Sequence, residues 1–223
     1  QTRNWNDMKR IDENAGLRHG QDHPPEDDAS SDATPGRFAV CVFCGAKPGD
    51  DAQWAALARD TGARIARQGW TLVYGGGRVG LMGAVADGAL EAGGDVIGVI
   101  PERLVELETA HEGCTRLEVV PDMAVRKTRM VALSDAFVSL PGGMGTLDEL
   151  FEVLTLSQLA YHDKPILLVN HDGFWDALVA WGDHAVSRGF LSAHDWARLV
   201  RVSDLDAMVQ ALRPTAQSRP DPA

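Results

Sequence analysis

The sequence is short of cysteine, of basic clusters and of long apolar runs, and each shortage removes a class of function. Three cysteines in 223 residues cannot form a fully paired disulfide framework, and the odd number fits a reducing compartment such as the cytoplasm. Cys41-Val-Phe-Cys44 is a lone CxxC. Within a strand its two sulfurs would face opposite sides of the sheet, so buried thiols are expected and a zinc site is not. No Lys/Arg-rich run breaks a net charge of −11, which argues against a groove for a nucleic-acid polymer. No apolar run approaches membrane-spanning length, and the N-terminal stretch has no signal-peptide core, so no membrane partner is expected. The sequence begins at Gln1 rather than Met, as a chain missing an upstream piece would. Neither G-x-S-x-G nor G-x-x-x-x-G-K-[ST] occurs, which removes the serine-hydrolase and P-loop readings. The seven histidines show no H-E-x-x-H or similar spacing, so no metal site is expected.

What is present is enough for one α/β domain with a large core: 223 residues, 44% of them hydrophobic. Residues 1–36 have no apolar period and read as a disordered tail; residues 214–223 read as a similar polar end. Between them, over 37–213, strand and helix patterns alternate. Strands are expected at 38–43, 71–74, 96–100, 116–120, 136–140 and 165–169. Helices are expected from Trp54 to Gly69, Gly80 to Ala92, Ala124 to Leu133, near Met144 onward, and Phe174 to Val186, with short ones at 193–200 and 204–212. Alternation of this kind gives a Rossmann-like, doubly wound, mostly parallel sheet in a single domain, with ligands beyond the carboxyl ends of the strands.

The most informative stretch is Leu140-Pro141-Gly142-Gly143-Met144-Gly145-Thr146-Leu147-Asp148-Glu149. An apolar strand breaks at glycines and restarts as a helix, leaving backbone N–H groups and the positive end of the helix dipole aimed into one small space. That is an anion seat, although first-turn acids such as Asp148 and Glu149 are also common simply because they complement the dipole. A second loop, Gly75-Gly76-Gly77-Arg78-Val79-Gly80, matches G-x-G-x-x-G between a strand and a helix. Taken alone it supports a dinucleotide site, with Glu102 near the place where a ribose-holding acid belongs. Arg126 and Arg129 share a helix face beside Lys127, just before the strand that feeds the central motif.

Six stretches, in order, resemble the Lonely Guy (LOG) family of cytokinin riboside 5′-monophosphate phosphoribohydrolases. They are Cys41–Gly45, Val73–Gly83, Gly98–Pro101, Met123–Lys127 with Met130, Ser134–Phe137, and Pro141–Glu149. Together they run from about Phe38 to Val169. The resemblance implies hydrolysis of the N-glycosidic bond of AMP or an N6-substituted AMP, a Rossmann-like fold, no NAD or metal cofactor, and a homodimer sharing active-site residues. Met144 stands where many members carry an aromatic residue, and Leu156 where many carry tryptophan. The family's frequent "lysine decarboxylase" label finds no support, because none of Lys9, Lys47, Lys127 and Lys164 has the context of a pyridoxal-binding lysine.

On this resemblance Gly142, Gly143, Met144, Gly145 and Thr146 would cradle the 5′-phosphate, with Gly75, Gly76 and Gly77 lining the opposite wall. Glu149 would stabilise an oxocarbenium-like ribosyl cation and orient or deprotonate water. Arg126 would position the phosphoribosyl group or favour departure of the base, with Lys127 assisting. Glu108 would contact base or sugar, and Asp148 and Thr155 complete the substrate-binding set. Two other readings stay open: an NAD(P)-dependent oxidoreductase, resting on the G-x-G-x-x-G match, and a non-catalytic nucleotide- or molybdenum-cofactor-binding protein.

Overall fold

Strands buried on both faces need apolar side chains at every position rather than at alternate ones. The sequences AVCVF, TLVY, AFVS and ILLV meet that demand, and they form β1 (Ala39–Phe43), β2 (Thr71–Tyr74), β5 (Ala136–Ser139) and β6 (Ile166–Val169), buried throughout. β3 (Val96–Pro101), β4 (Arg116–Val120) and β7 (Leu199–Val202) complete a seven-stranded sheet in a computed structural model that describes residues 37–217. The strand order is β4-β3-β2-β1-β5-β6-β7, and every pairing is parallel. The expected tail over residues 1–36 lies outside the described residues, as do 218–223.

Parallel neighbours require crossovers, and helices supply them. α1 (Ala52–Arg67) starts where the Asp51 carboxylate accepts the Gln53 N–H at 2.8 Å. α2 (Gly80–Glu91), α3 (Met123–Leu133) and α4 (Met144–Gln158) follow, with Asp122 capping α3 through the Val125 N–H. α5 (Asp176–Ser187), α6 (Ala193–Trp196) and α7 (Leu205–Gln217) close the chain. The helical backbone of α7 continues past Pro214, which the sequence reading places outside the domain.

The sheet divides the core in two. Val40, Val42, Leu72 and Tyr74 face one layer with Leu57, Ile65, Val85 and Met208; Cys41, Phe43, Val73 and Phe137 face the other with Met130, Leu150 and Val153. Cys41 and Cys44 fall into different layers, as their strand spacing predicts.

One element differs from expectation. Residues 193–200 are not one helix: α6 lasts four residues, and the chain then runs extended as β7 along β6, Ile166 opposite Leu199 and Val169 opposite Val202. Trp196, Leu199 and Val200 mimic a helical stripe, but the buried Trp196 ends α6 by donating its indole N–H to Asp183 at 2.8 Å. Only Leu199 and Val202 of β7 are buried, the pattern of a short edge strand with weak alternation.

Candidate active site

Where strand order reverses in an open parallel sheet, the two flanking loops splay apart and leave a crevice at the carboxyl ends. Here the reversal lies between β1 and β5. A cavity of about 640 Å³ opens at that point. The loop after β5 and the start of α4 form its floor, the loop after β1 forms one side, and Glu108 and Arg126 reach in from the loop after β3 and from α3. Backbone bonds lock the loops together: the Gly45 N–H donates to the Pro141 carbonyl at 3.1 Å, and the Gly45 carbonyl accepts from the Leu81 N–H at 2.9 Å.

The floor is built to leave backbone uncovered. Gly143 stands at the N-cap of α4 and has no side chain to cap the first-turn N–H groups, and those groups have no acceptor within the helix. A Cβ on Gly142 would run into Thr146 Oγ1 and come within 2.9 Å of the Gly45 nitrogen, so only glycine lets the two loops close. Around Gly143 and Gly145 no protein atom lies within 4 Å of where a Cβ would stand, so this stretch faces the cavity. Thr146 is buried beneath it, and Met144 is exposed at the mouth.

Three charged side chains meet beside this floor. Arg126 is 5% exposed; its Nε donates to the Val99 carbonyl at 3.1 Å and its Nη2 to the Gly75 carbonyl at 2.8 Å. Nη2 also stands 3.8 Å from Glu108 Oε2, a buried oxygen with no hydrogen-bond partner of its own. Burial pushes the Glu108 carboxyl up from its ordinary value, and the Arg126 guanidinium opposes the shift. Glu149, partly open to the cavity but surrounded by protein, is pushed up to about 7. Burial is the main cause, Asp148 and Glu108 add to it, and Arg126 and Lys127 oppose it. A carboxyl near 7 can hold or release a proton at neutral pH, which suits acid–base work.

The sequence-derived site residues separate into two groups. Glu149, Arg126, Glu108, Gly142, Gly143, Met144, Gly145 and Thr146 line the cavity; Gly75, Gly76, Gly77, Lys127, Asp148 and Thr155 lie outside its lining. The glycine loop after β2 is not an opposite wall, because protein fills it. A Cβ on Gly75 would collide with the Arg126 guanidinium, and all three glycines are buried. The loop therefore seats Arg126, and the G-x-G-x-x-G match offers no open backbone to a pyrophosphate. Glu102, the acid needed by that reading, is exposed in a short 3-10 turn and also outside the lining. Lys127 turns away to ion pairs with Asp148, at 3.2 Å, and Glu152. Arg129 departs from Arg126 as well, its Nε donating to Glu118 at 2.7 Å. Thr155 is exposed, six residues beyond Glu149 on α4.

Sequence reasoning missed Lys47, Asp50, Trp54 and Phe174, which line the same cavity. The Trp54 indole N–H donates to Asp50 at 3.1 Å, and its ring meets Phe174 edge-on with centroids 5.7 Å apart. Lys47 is exposed on the loop after β1 and forms no ion pair among the described residues. Its loop position directly after a central strand was the available signal. As for a pyridoxal-binding lysine, Lys47 is exposed, Lys127 is ion-paired, the Lys164 ammonium donates to the Val131 carbonyl at 2.8 Å, and Lys9 lies outside the described residues.

Comparison with known proteins is consistent with this geometry. A family model described as "Possible lysine decarboxylase" matches residues 82–212. The chain is 45% identical over 190 residues to the cytokinin riboside 5′-monophosphate phosphoribohydrolase of Rhodococcoides fascians, covering 85% of this chain and 96% of that protein. It is 44% identical over 180 residues to the protein of the same name from Mycobacterium tuberculosis, covering 81% and 96%. Among solved structures, the Moco carrier protein of Chlamydomonas reinhardtii superposes with a TM-score of 0.61 over 80% of this chain and 97% of that one, at 23% identity. That likeness is one of fold.

Proposed function

Because this chain belongs to the cytokinin riboside 5′-monophosphate phosphoribohydrolase family, we propose that it hydrolyses the N-glycosidic bond of AMP or an N6-substituted AMP to free base and ribose 5-phosphate. The observation that carries this reading is the placement of Glu149, Arg126 and Glu108 around one cavity whose floor is an uncapped helix N-terminus. The 5′-phosphate lies on the N–H groups of Gly142 to Thr146, a site favoured by their geometry and by the dipole of α4. Lys47 supplies a positive charge at the side of that cradle. The Glu108 carboxyl, which lines the cavity, accepts a sugar hydroxyl. As the C1′–N bond breaks, its electron pair leaves with the base, and the ionised Glu149 faces the positive charge left on the ribose. Glu149 then takes a proton from the water whose oxygen bonds to C1′ and gives it up, through solvent, to the departing base, so the base leaves neutral and the carboxylate is restored.

Incubation with AMP should release adenine, resolved by chromatography, while adenosine is cleaved far more slowly because the cradle's N–H donors are left without an anion. Lys47→Ala should raise KM for AMP several-fold and flatten its salt dependence, leaving adenosine turnover unchanged. Equal kcat/KM for nucleotide and nucleoside would remove the phosphate from this floor.

We further infer a homodimer, located in the cytoplasm. Support comes from the family and from apolar side chains that one chain leaves to solvent: Met123, Val125, Leu159 and Tyr161, the last 76% exposed. No described helix is long and apolar enough to cross a membrane. Light scattering at micromolar concentration should give twice the mass of one chain; a monomer would reject the dimer.

A further inference from the structure

Behind the substrate cavity lies a second, much smaller opening, a gap of about 10 Å³ between α3 and α4. Its charged lining is Lys127, Glu149 and Glu152; Phe43, Met130 and Val153 supply apolar walls that are almost wholly buried. Among the described residues Glu149 is the one that lines both this gap and the large cavity, so it stands between them. A gap of this size is close to the least that admits one water. Glu152 stands one turn beyond Glu149 on α4, on the same side of the helix. Lys127 is tied to Glu152 and Asp148 rather than to the cavity.

We propose that Lys127 and Glu152 are positioning residues that set the charge state of Glu149 across this one-water gap, from the side opposite the substrate. The inference rests on Glu149 acting as a carboxylate in the proposed hydrolysis. Charges separated by apolar walls act on one another more strongly than charges in water. The groups that face Glu149 are Arg126 and Lys127 from α3, Asp148 and Glu152 from α4, Glu108 from the loop after β3, and Cys41 and Cys44 from β1 and its end. Arg126 is already held by two carbonyls and by Glu108, so Lys127 is the cation whose field at Glu149 depends on its partners. With Glu152 neutralising it, Lys127 leaves the carboxyl free to titrate near neutrality. This accounts for a lysine that sits next to the catalytic arginine in sequence and yet stays out of the cavity.

The two partners should move the reaction in opposite directions. Glu152→Gln removes a negative charge and releases the field of Lys127, so ionised Glu149 is favoured and the acid limb of kcat/KM against pH shifts down. Lys127→Met leaves Glu152 and Asp148 without their cation, so the limb shifts up. A one-unit shift from a midpoint of about 7 makes the first variant about fivefold faster at pH 6 and the second about fivefold slower at pH 7. The change should lie in the midpoint rather than in KM, and Lys127→Arg should restore the wild-type profile. Glu152→Gln is isosteric and half-buried, so it keeps the test open if Lys127→Met folds poorly. Midpoints that stay put, or that move the same way, overturn the proposal while Glu149→Gln keeps its about hundredfold loss of kcat. If Glu149→Gln itself keeps turnover and its acid limb, the underlying assignment of Glu149 fails instead.

Discussion

Glu149→Gln should lower kcat about a hundredfold, a loss of about 3 kcal/mol of transition-state stabilisation, while AMP still binds. The substitution keeps size and most hydrogen bonding but removes the charge that opposes a cationic ribose, and it leaves the phosphate floor intact. The same change should stabilise the fold at pH 8. The Glu149 carboxyl titrates near 7 in the folded chain, above its ordinary value of 4.5. Between those values the folded state binds more protons than the unfolded one, so stability falls as pH rises through that window. The shift corresponds to about 3 kcal/mol, which glutamine should recover at pH 8 and should not recover at pH 4, where both states are protonated. Loss of turnover together with a gain in melting temperature at pH 8 marks a carboxylate retained for chemistry at a cost in stability. Asp148→Asn should do neither, since Asp148 is half-exposed and turned toward Lys127. If Glu149→Gln releases adenine at the wild-type rate while Asp148→Asn does not, the choice of acid is wrong.

The parts of this molecule that local pattern determines were legible in the sequence. Apolar runs such as Thr71-Leu-Val-Tyr74 and Ile166-Leu-Leu-Val169 announce buried parallel strands, and the glycine break before Met144 announces the start of α4. What could not be read depends on which strands become neighbours. Val40 lies beside Ala136, 96 residues later, and only that pairing brings Lys47 and Trp54 over the floor laid by Gly142 and Gly143. Periodicity carries no such information. The glycines after β2 show the opposite error: three small residues read as space for a ligand, but the same protein takes it, with Arg126 at Gly75, Ile100 and Leu117 at Gly76, and Met82 and Glu108 at Gly77. Lys127, expected beside Arg126, lies outside the cavity lining for a related reason. Adjacent residues on a helix point about 100° apart, so a neighbour of Arg126 in sequence need not share its cavity. β7 was lost because half of its side chains are exposed, which leaves too little alternation to compete with the helical spacing of Trp196 and Leu199.

Arg126→Ala should be the most damaging single change for both fold and activity, and its two effects can be separated. In the fold, the guanidinium satisfies the Val99 and Gly75 carbonyls and stands against Glu108. Its removal strands buried acceptors and leaves two buried carboxyls without their cation, a loss of about 3–5 kcal/mol by analogy with broken buried ion pairs. In the reaction, the same charge opposes the upward push of burial on both Glu149 and Glu108. Without it both carboxyls should titrate at higher pH, so at neutrality Glu149 is mostly protonated and unable to face a ribosyl cation. Both kcat and KM should therefore suffer, kcat by more than about a hundredfold. Arg126→Lys separates the contributions. It restores a positive charge, so the acid limb of the rate profile should return toward its wild-type position. A single ammonium cannot reproduce the planar fork that reaches both the Val99 and Gly75 carbonyls, so kcat and denaturant stability should stay depressed. Urea unfolding together with kcat/KM between pH 5 and 9 on the same three proteins gives both readouts. A fully active Arg126→Lys would mean that charge alone suffices and that the glycine seat after β2 has no catalytic consequence. An Arg126→Ala protein that is folded and within a few-fold of wild type would remove Arg126 from the reaction.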